Sequence, residues 1–245
     1  ATPIRPIPIL RGETAQCFIQ RADAAEKVPH TQDSGISKED FKKVLAKANF
    51  NRMAFLAEFC SIKVLTRDLL ASCKTFRCGD KDLDEFFLED AVLHHNALLG
   101  KSYCFILDEN PRIIVCAFTL ANDSVHVDTI PNARKKELTP NITLKTDAPD
   151  PAILIGRLAV NEDFADKGIG SELLSILKLL AIHQGNLSDC RFLAVDAKND
   201  PKPLHYYEKN NFIYLYSSEE QEACNLNLSM PLKNSFMFFD LLDLK

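Results

Sequence analysis

Glycine is scarce in this chain, eight in 245 residues, yet Gly168 and Gly170 stand close together between its most apolar run and its most regular amphipathic run. A glycine turn at such a place has a chemical use. It leaves the first backbone N–H groups of a helix unpartnered and points the positive end of the helix dipole the same way, so that together they can hold a phosphate. The same glycines also suit a tight strand-to-helix turn that binds nothing, and spacing alone does not separate the two readings. Arg157 interrupts the apolar run, so its charge must reach the surface or meet a carboxylate. Tyr206 and Tyr207 fall in a helical stretch, where aromatics commonly pack on a sheet. Asn199 belongs to Asn199-Asp200-Pro201, which is turn chemistry.

The elements that must position these residues show as changes of hydrophobic period. Residues 152–160 are apolar apart from Gly156 and Arg157, the pattern of a central strand covered on both faces. Residues 170–184 repeat Leu173, Leu174, Leu177 and Leu180 at helical spacing, with Glu172, Lys178 and Gln184 as polar positions. A strand at 191–195 and a helix at 204–210 follow, and strand, helix, strand in this order implies parallel pairing. Upstream, a strand is expected at 61–65 and an amphipathic helix at 83–93, with Leu83, Phe86, Phe87 and Val92 or Leu93 inward. Runs at 102–108 and 113–121 flank Asp108-Glu109-Asn110-Pro111 and predict a hairpin. Residues 129–151, with Pro131, Pro140, Pro149 and Pro151, read as a long surface loop. Residues 213–216 and 236–242 read as closing strands.

These elements make a mixed α/β domain over 53–245, preceded by an arm. Residues 1–52 begin with Pro3, Pro6 and Pro8, carry Ala15, Phe18, Ile19 and Ala22 on one face of a helical stretch at 12–27, and restart at Ser37. That apolar face needs a partner surface, so the arm is expected to pack on the domain of its own chain or of a neighbouring subunit, which allows a homodimer.

A formal net charge of −5 gives no general attraction to nucleic acid, and Arg134-Lys135-Lys136 is the one local basic patch. The eight cysteines include no C-x-x-C pair, which reads as free thiols in a reducing compartment. The histidines lack metal-ligand spacing, so no metal is expected. No apolar run nears the ~18 residues of a membrane span and the start lacks a signal-peptide core, which predicts a cytoplasmic protein away from membranes.

Longer stretches carry a resemblance. Residues 158–174, Leu-Ala-Val-Asn-Glu-Asp-Phe-Ala-Asp-Lys-Gly-Ile-Gly-Ser-Glu-Leu-Leu, resemble the acetyl-CoA motif of the GNAT N-acetyltransferase superfamily, and Tyr207-Glu208-Lys209-Asn210-Asn211-Phe212 resembles its Tyr-Glu-x-x-Gly-Phe segment. Phe76-Arg77-Cys78-Gly79 with Leu83-Asp84-Glu85-Phe86, and Gly156-Arg157-Leu158-Ala159-Val160, are similar to segments of the GNAT toxins of bacterial toxin–antitoxin pairs. The resemblance covers roughly 62–242. It departs at Ala165, where the family has Arg or Gln, at Asp166, where toxin-like members have glycine, and at Asn211, which tolerates the left-handed backbone a glycine would supply. A carboxylate at Asp166 repels a pyrophosphate unless it turns outward, with Lys167 beside it to offset the charge.

The resemblance implies a GNAT fold: a mixed, mostly antiparallel sheet with a parallel splayed pair and flanking helices. It implies acetyl-coenzyme A as cofactor, with Leu158, Ala159 and Val160 along its pantetheine arm and Ala165, Asp166, Lys167, Gly168, Ile169, Gly170 and Ser171 at its pyrophosphate. Asn199 is a further contact to the arm, or only a turn residue. Tyr207 becomes the general acid for the departing thiolate. The expected reaction is acetyl transfer to a primary amine, small or peptidic. The alternatives are a toxin-like enzyme acetylating the α-amine of a charged tRNA, with Arg157 and residues 134–136 facing its phosphates and the arm as an antitoxin-like clamp, and a non-catalytic acetyl-CoA-binding module. No base announces itself; Glu85, Asp123 and Glu162 are the carboxylates in view.

Overall fold

The computed structural model of the chain describes residues 55–126, 149–182 and 190–244. The expectations for the arm, for most of the 129–151 loop with Arg134, Lys135 and Lys136, and for Gln184 fall outside the described residues.

Helix α1 (Phe55–Phe59) leads directly into β1 (Cys60–Val64), whose alternating burial marks a half-covered strand. Helix α2 (Arg67–Ser72), which the sequence reading did not separate, starts where the Thr66 side chain accepts the Leu69 N–H. The helix expected at 83–93 is a longer run: α3 (Lys81–Glu85), capped by the Asp80 side chain, a π turn (Phe86–Asp90) and α4 (Ala91–Asn96). The π turn rotates the inward face, so Phe86, Phe87 and Ala91 are buried while Leu93 is 50% exposed. Of the expected alternatives, Val92 is the half-buried one and Leu93 the exposed one.

Strands β2 (Lys101–Leu107) and β3 (Ile114–Val125) form the expected hairpin, and β4 (Asp150–Val160) lies beside β3. Helix α5 (Ile169–Ala181), β5 (Phe192–Lys198) and α6 (Pro201–Lys209) follow. Of the closing strands, β6 is only Ile213–Tyr214, because helix α7 (Glu219–Leu226) intervenes before β7 (Asn234–Asp240). The seven strands form one sheet in the order β1-β2-β3-β4-β5-β7-β6, antiparallel except for β4 with β5. This is the mixed, mostly antiparallel architecture expected.

One face of the sheet packs on α5 through Leu173, Leu174 and Leu177, against Ile155, Leu193, Val195 and Phe118. The other face carries two separate clusters. Phe76, Phe86 and Phe87 cover Cys104, Ala117 and Ala159, while Leu215, Tyr216 and Phe238 cover Ala152, Phe192 and Ala194. The cysteines among the described residues are free thiols, with Cys60, Cys104 and Cys116 buried.

Lys178 departs from its expected place on the polar side of α5. It is 7% exposed, its ammonium donates to the Asn210 carbonyl, and it lies over the rings of Phe239 (3.5 Å) and Phe212 (5.1 Å). Burial lowers its pKa to about 8. The unfolded chain therefore holds a proton that the folded chain has lost between about pH 8 and 10.5. In this window wild-type stability must rise with pH relative to Lys178→Met, by at most roughly 3 kcal/mol because the rings also hold the cation. Urea unfolding at pH 7.5 and 9.5 reads that difference; a difference constant with pH would contradict the burial.

Candidate active site

The site begins with one surplus residue. Ile155 pairs with Leu120 and Arg157 with Thr119, so Gly156 has no partner of its own on β3 and forms a β-bulge. The bulge resets the alternation. Ile153 and Ile155 lie on the α5 side, and so do Leu158 and Val160, whereas Arg157 and Ala159 are turned to the opposite face. Parallel pairing of β4 with β5 covers four positions, Ala152 with Phe192 through Ile155 with Val195, and stops at the bulge. Past it β5 stays with β7, Asp196 opposite Phe236, and β4 stays with β3 up to Val160 opposite Cys116. The facing edges of Arg157–Val160 and Asp196–Lys198 are thus left open to each other, as the expected splayed pair requires.

Strand β4 then enters a turn that is held at several points. The Asn161 side chain donates to the Ile114 carbonyl (2.8 Å) and accepts the Asp163 N–H (3.0 Å), and the Glu162 N–H donates to the Arg77 carbonyl (2.9 Å). Lys167 reaches back to the Asp163 carbonyl (2.7 Å) over the Phe164 ring. Ala165 is extended, and Asp166 and Gly168 are left-handed, with φ of 57° and 82°. Asp166 thus holds a left-handed φ at the position where the resemblance has glycine, and aspartate is among the few other residues that adopt it readily. Asp166 and Lys167 are both solvent-exposed.

The first hydrogen bond of α5 is Glu172 N–H to Gly168 O (3.0 Å). Among the described residues, none accepts from the N–H groups of Asp166, Lys167, Gly168, Ile169, Gly170 or Ser171. These donors stand at the positive end of the dipole of a 13-residue helix, an arrangement that can hold an anion. Glu172, the acid in this first turn, is occupied elsewhere, accepting the Leu56 N–H at 2.6 Å to cap α1.

Helix α6 is fastened to that first turn. Tyr206 Oη donates to the Gly170 carbonyl (2.7 Å), and Asn210 Nδ2 donates to Ser171 Oγ (3.2 Å). Gly170 is not a left-handed residue; a Cβ there would meet Tyr206 Oη at 3.0 Å and its ring at 3.1 Å, so this glycine exists for close packing. The rest of the segment behaves as expected, with Asn211 left-handed (φ 64°) at the end of α6.

Tyr207, one residue from the Tyr206 fastening, is 8% exposed, with its ring against Tyr206 and Phe212. Its hydroxyl makes no hydrogen bond among the described residues and keeps contact with solvent. Burial pushes its pKa above the ordinary 10, so it stays protonated through the neutral range. Asn199 is differently employed: its side chain donates to the Leu232 carbonyl (3.2 Å) and accepts from Ser235 (3.4 Å). These bonds tie the Asn199 side chain to the segment that leads into β7.

On the face away from α5, Arg157 reaches solvent, as it must without a buried partner, and lies over the Phe86 ring at 5.3 Å. Asp196, which the sequence reading passed over, stands on β5 on the same face. Burial raises its pKa, Asp123 raises it further and Arg157 lowers it. Its signal was present as the first charge to break the apolar run of β5. Of the carboxylates considered for a base, Asp123 is electrostatically coupled to this place, whereas Glu85 and Glu162 are exposed in α3 and in the turn after β4. Two cavities, of about 150 and 520 Å³, share Tyr103, Leu120 and Ile153 and touch neither the free amides nor Tyr207. A slot between diverging strands is open rather than enclosed. Among the described residues no group of three or more His, Cys, Asp or Glu is placed to hold a metal.

Residues 65–212 match the model of the acetyltransferase (GNAT) family. A tRNA-acetylating toxin of Mycobacterium tuberculosis is 28% identical over 133 residues, 54% of this chain and 73% of the relative. Among solved structures, AtaT complexed with acetyl-methionyl-tRNAfMet superposes with a TM-score of 0.52 at 20% identity, covering 75% of this chain and 96% of that one. AtaTR bound with AcCoA gives 0.52 at 18% identity, covering 76% and 96%, and a bacterial toxin gives 0.55 at 15% identity, covering 76% and 92%. At these identities the structural likeness bears on the fold alone.

The Tyr206 contact is testable by a double-mutant cycle. Gly170→Ala should cost about 1–3 kcal/mol by overpacking and Tyr206→Phe about 1 kcal/mol for its hydrogen bond. Because phenylalanine lacks the Oη that the new methyl meets, the double variant should lose less than the sum, read by denaturant unfolding. Additive losses would show that the two residues do not touch.

Proposed function

The chain belongs to the GNAT acetyltransferase family, and from that premise we propose that it transfers an acetyl group from acetyl-coenzyme A to a primary amine. The observation that carries this reading is the opening of β4 from β5 at Gly156, one short turn before a helix whose leading amides have no acceptor among the described residues. Acetyl-coenzyme A brings an activated thioester and a thiolate leaving group. The backbone of Leu158, Ala159 and Val160 offers the exposed strand edge to which an amide-bearing arm adds as a further strand. The N–H groups from Asp166 to Ser171 receive the pyrophosphate, with Ala165 leading into them and Lys167 contributing its charge. Asn199 is left out of this set because its amide is engaged.

Tyr207 is the proposed general acid. A buried phenol that stays protonated and lacks a partner is suited to donate to a thiolate as charge develops there. Tyr206, although adjacent, donates to the Gly170 carbonyl and serves to position the helix.

A narrower reading takes the α-amine of a charged tRNA as the acceptor. Its support is the mycobacterial relative's description as a tRNA-acetylating toxin. Arg157, exposed beside the opening with its guanidinium resting on the buried Phe86 ring, is suited to a phosphate. An α-amine also titrates near ~7.7–8.0, so it demands less of a base than a lysine side chain does. A cytoplasmic location accords with this reading; among the described residues no helix is long and apolar enough to cross a membrane. An antitoxin-like role for residues 1–52 belongs to the same proposal.

Calorimetry with coenzyme A and thiol release from acetyl-CoA test the reading, using dipeptides, polyamines and aminoacyl-tRNA as acceptors. Binding and release are expected, with the preferred acceptor deciding between the two amine classes. Tyr207→Phe should lower kcat by about 10²-fold and leave coenzyme A affinity unchanged. Binding without turnover on any amine would favour a cofactor-sensing module, and no binding would end the proposal.

A further inference from the structure

Resting on the acetyltransferase reading, we infer that Asp196 receives the proton of the incoming ammonium and is the catalytic base, with Arg157 facing it across the strand opening. The placement follows from the pairing. Val195 is the last β5 residue in the parallel ladder, so Asp196 is the first whose β4 side has no strand against it. Leu193, Val195 and Ala197 belong to the cluster under α5, and Phe192 and Ala194 to the opposite one, so alternation puts Asp196 on the face away from α5. Arg157, turned to that face by the Gly156 bulge, stands on the other lip. That face lies between the Phe86–Phe87 cluster and the Leu215–Phe238 cluster, where among the described residues no hydrophobic cluster covers the sheet.

The charged groups around Asp196 come from four elements. Asp123 on β3 acts against its ionisation and Arg157 on β4 favours it. Glu222 of α7 is coupled to it, although the Glu222 carboxylate is engaged by the Phe236 N–H at 2.7 Å. Opposite on β7 stand Phe236 and Asn234, which carry no charge, and on β5 itself Lys198 is paired with Asp200 at 3.3 Å. The Asp196 side chain makes no hydrogen bond among the described residues and reaches solvent, as a group that takes a proton from an arriving amine must. Partial desolvation by the surrounding protein, and then Asp123, raise its proton affinity above that of an ordinary aspartate, which makes it a stronger base.

The proton balance closes. The Asp196 carboxylate takes one proton from the acceptor ammonium and later returns it to water. The freed nitrogen forms the C–N bond to the acetyl carbon as the C–S bond breaks. The thiolate takes the phenolic proton of Tyr207, and the extra proton on the new amide nitrogen restores that phenol, directly or through water. One ammonium and one thioester become one amide, one thiol and one proton.

The test uses the full chain with whichever acceptor above turns over. Asp196→Asn should lower kcat/KM at pH 7 about 10²-fold with coenzyme A affinity unchanged. The deficit should shrink as pH rises and the amine ionises unaided, and Asp196→Glu should recover part of the rate. Independently of turnover, ¹³C NMR of carboxyl-labelled aspartate should show a resonance, absent in Asp196→Asn, that titrates above the ordinary 3.8, moves down in Asp123→Asn and up in Arg157→Gln. A wild-type rate and pH profile in Asp196→Asn, or titration of that resonance at the ordinary value, would overturn the assignment while leaving the acetyltransferase reading standing. A wild-type chain that bound coenzyme A but acetylated nothing would remove both.

Discussion

A single surplus residue governs this molecule. Were β4 in unbroken register with β3, its ladder with β5 could continue past Ile155, and the sheet would be closed where it now parts. Gly156 prevents this by occupying a position with no partner on β3, and the parallel ladder stops after four pairs. The same bulge resets which side chains face which way. Leu158 and Val160 thereby join the apolar layer beneath α5, and Arg157 is released to the opposite face, where it finds solvent and an aromatic ring. An open strand edge and a correctly sided arginine are two consequences of one backbone irregularity.

What the bulge opens, the neighbouring helices keep in place. The amides at the head of α5 and the phenol of Tyr207 come from segments some 40 residues apart, and their relation is set by two contacts, Tyr206 with Gly170 and Asn210 with Ser171. Lys178 adds a third link, its ammonium closing the carbonyl end of α6 from within α5. A buried cation is costly, and two phenylalanine rings offset part of that cost. The phenol and the unpartnered amides are therefore fastened to one another, as a donor acting on a held ligand would require.

The sequence disclosed the parts whose physics is local. The apolar run of β4, the leucine spacing of α5, the Asp108–Pro111 hairpin turn and the left-handed Asn211 all reappear in the structure, because period and turn chemistry determine them. Nonlocal features were hidden. The two glycines looked alike, yet Gly168 serves a left-handed backbone and Gly170 the approach of a tyrosine 36 residues away. Lys178 reads as surface by type, and its burial depends on Phe212 and Phe239 arriving from elsewhere. The π turn after Glu85 gave no local sign in a helix that periodicity located correctly. Asp196 was overlooked because a charge after an apolar strand looks like the strand's end, whereas β5 continues to Lys198.

The sheet also separates charges by face, which bears on the acceptor. On the α5 side the polar features are backbone donors at the positive end of a helix, with Glu172 turned away to cap α1, so an anion meets little opposition there. On the far side, Asp196 is coupled to Asp123, Glu222 and the cation Arg157, and desolvation is the leading cause that raises Asp196 and Glu222. Such a surface favours a positively charged group over a negative one. An acceptor that presents an ammonium to Asp196 and keeps its phosphates toward Arg157 and the edge of the cleft satisfies both signs at once. A lysine-rich peptide satisfies only the first, and the exposed guanidinium of Arg157 would then face a like charge. The pairing of Arg157 with Asp196 across one opening thus argues for an acceptor of mixed sign, which an aminoacyl ester on a nucleic acid is and a simple polyamine is not.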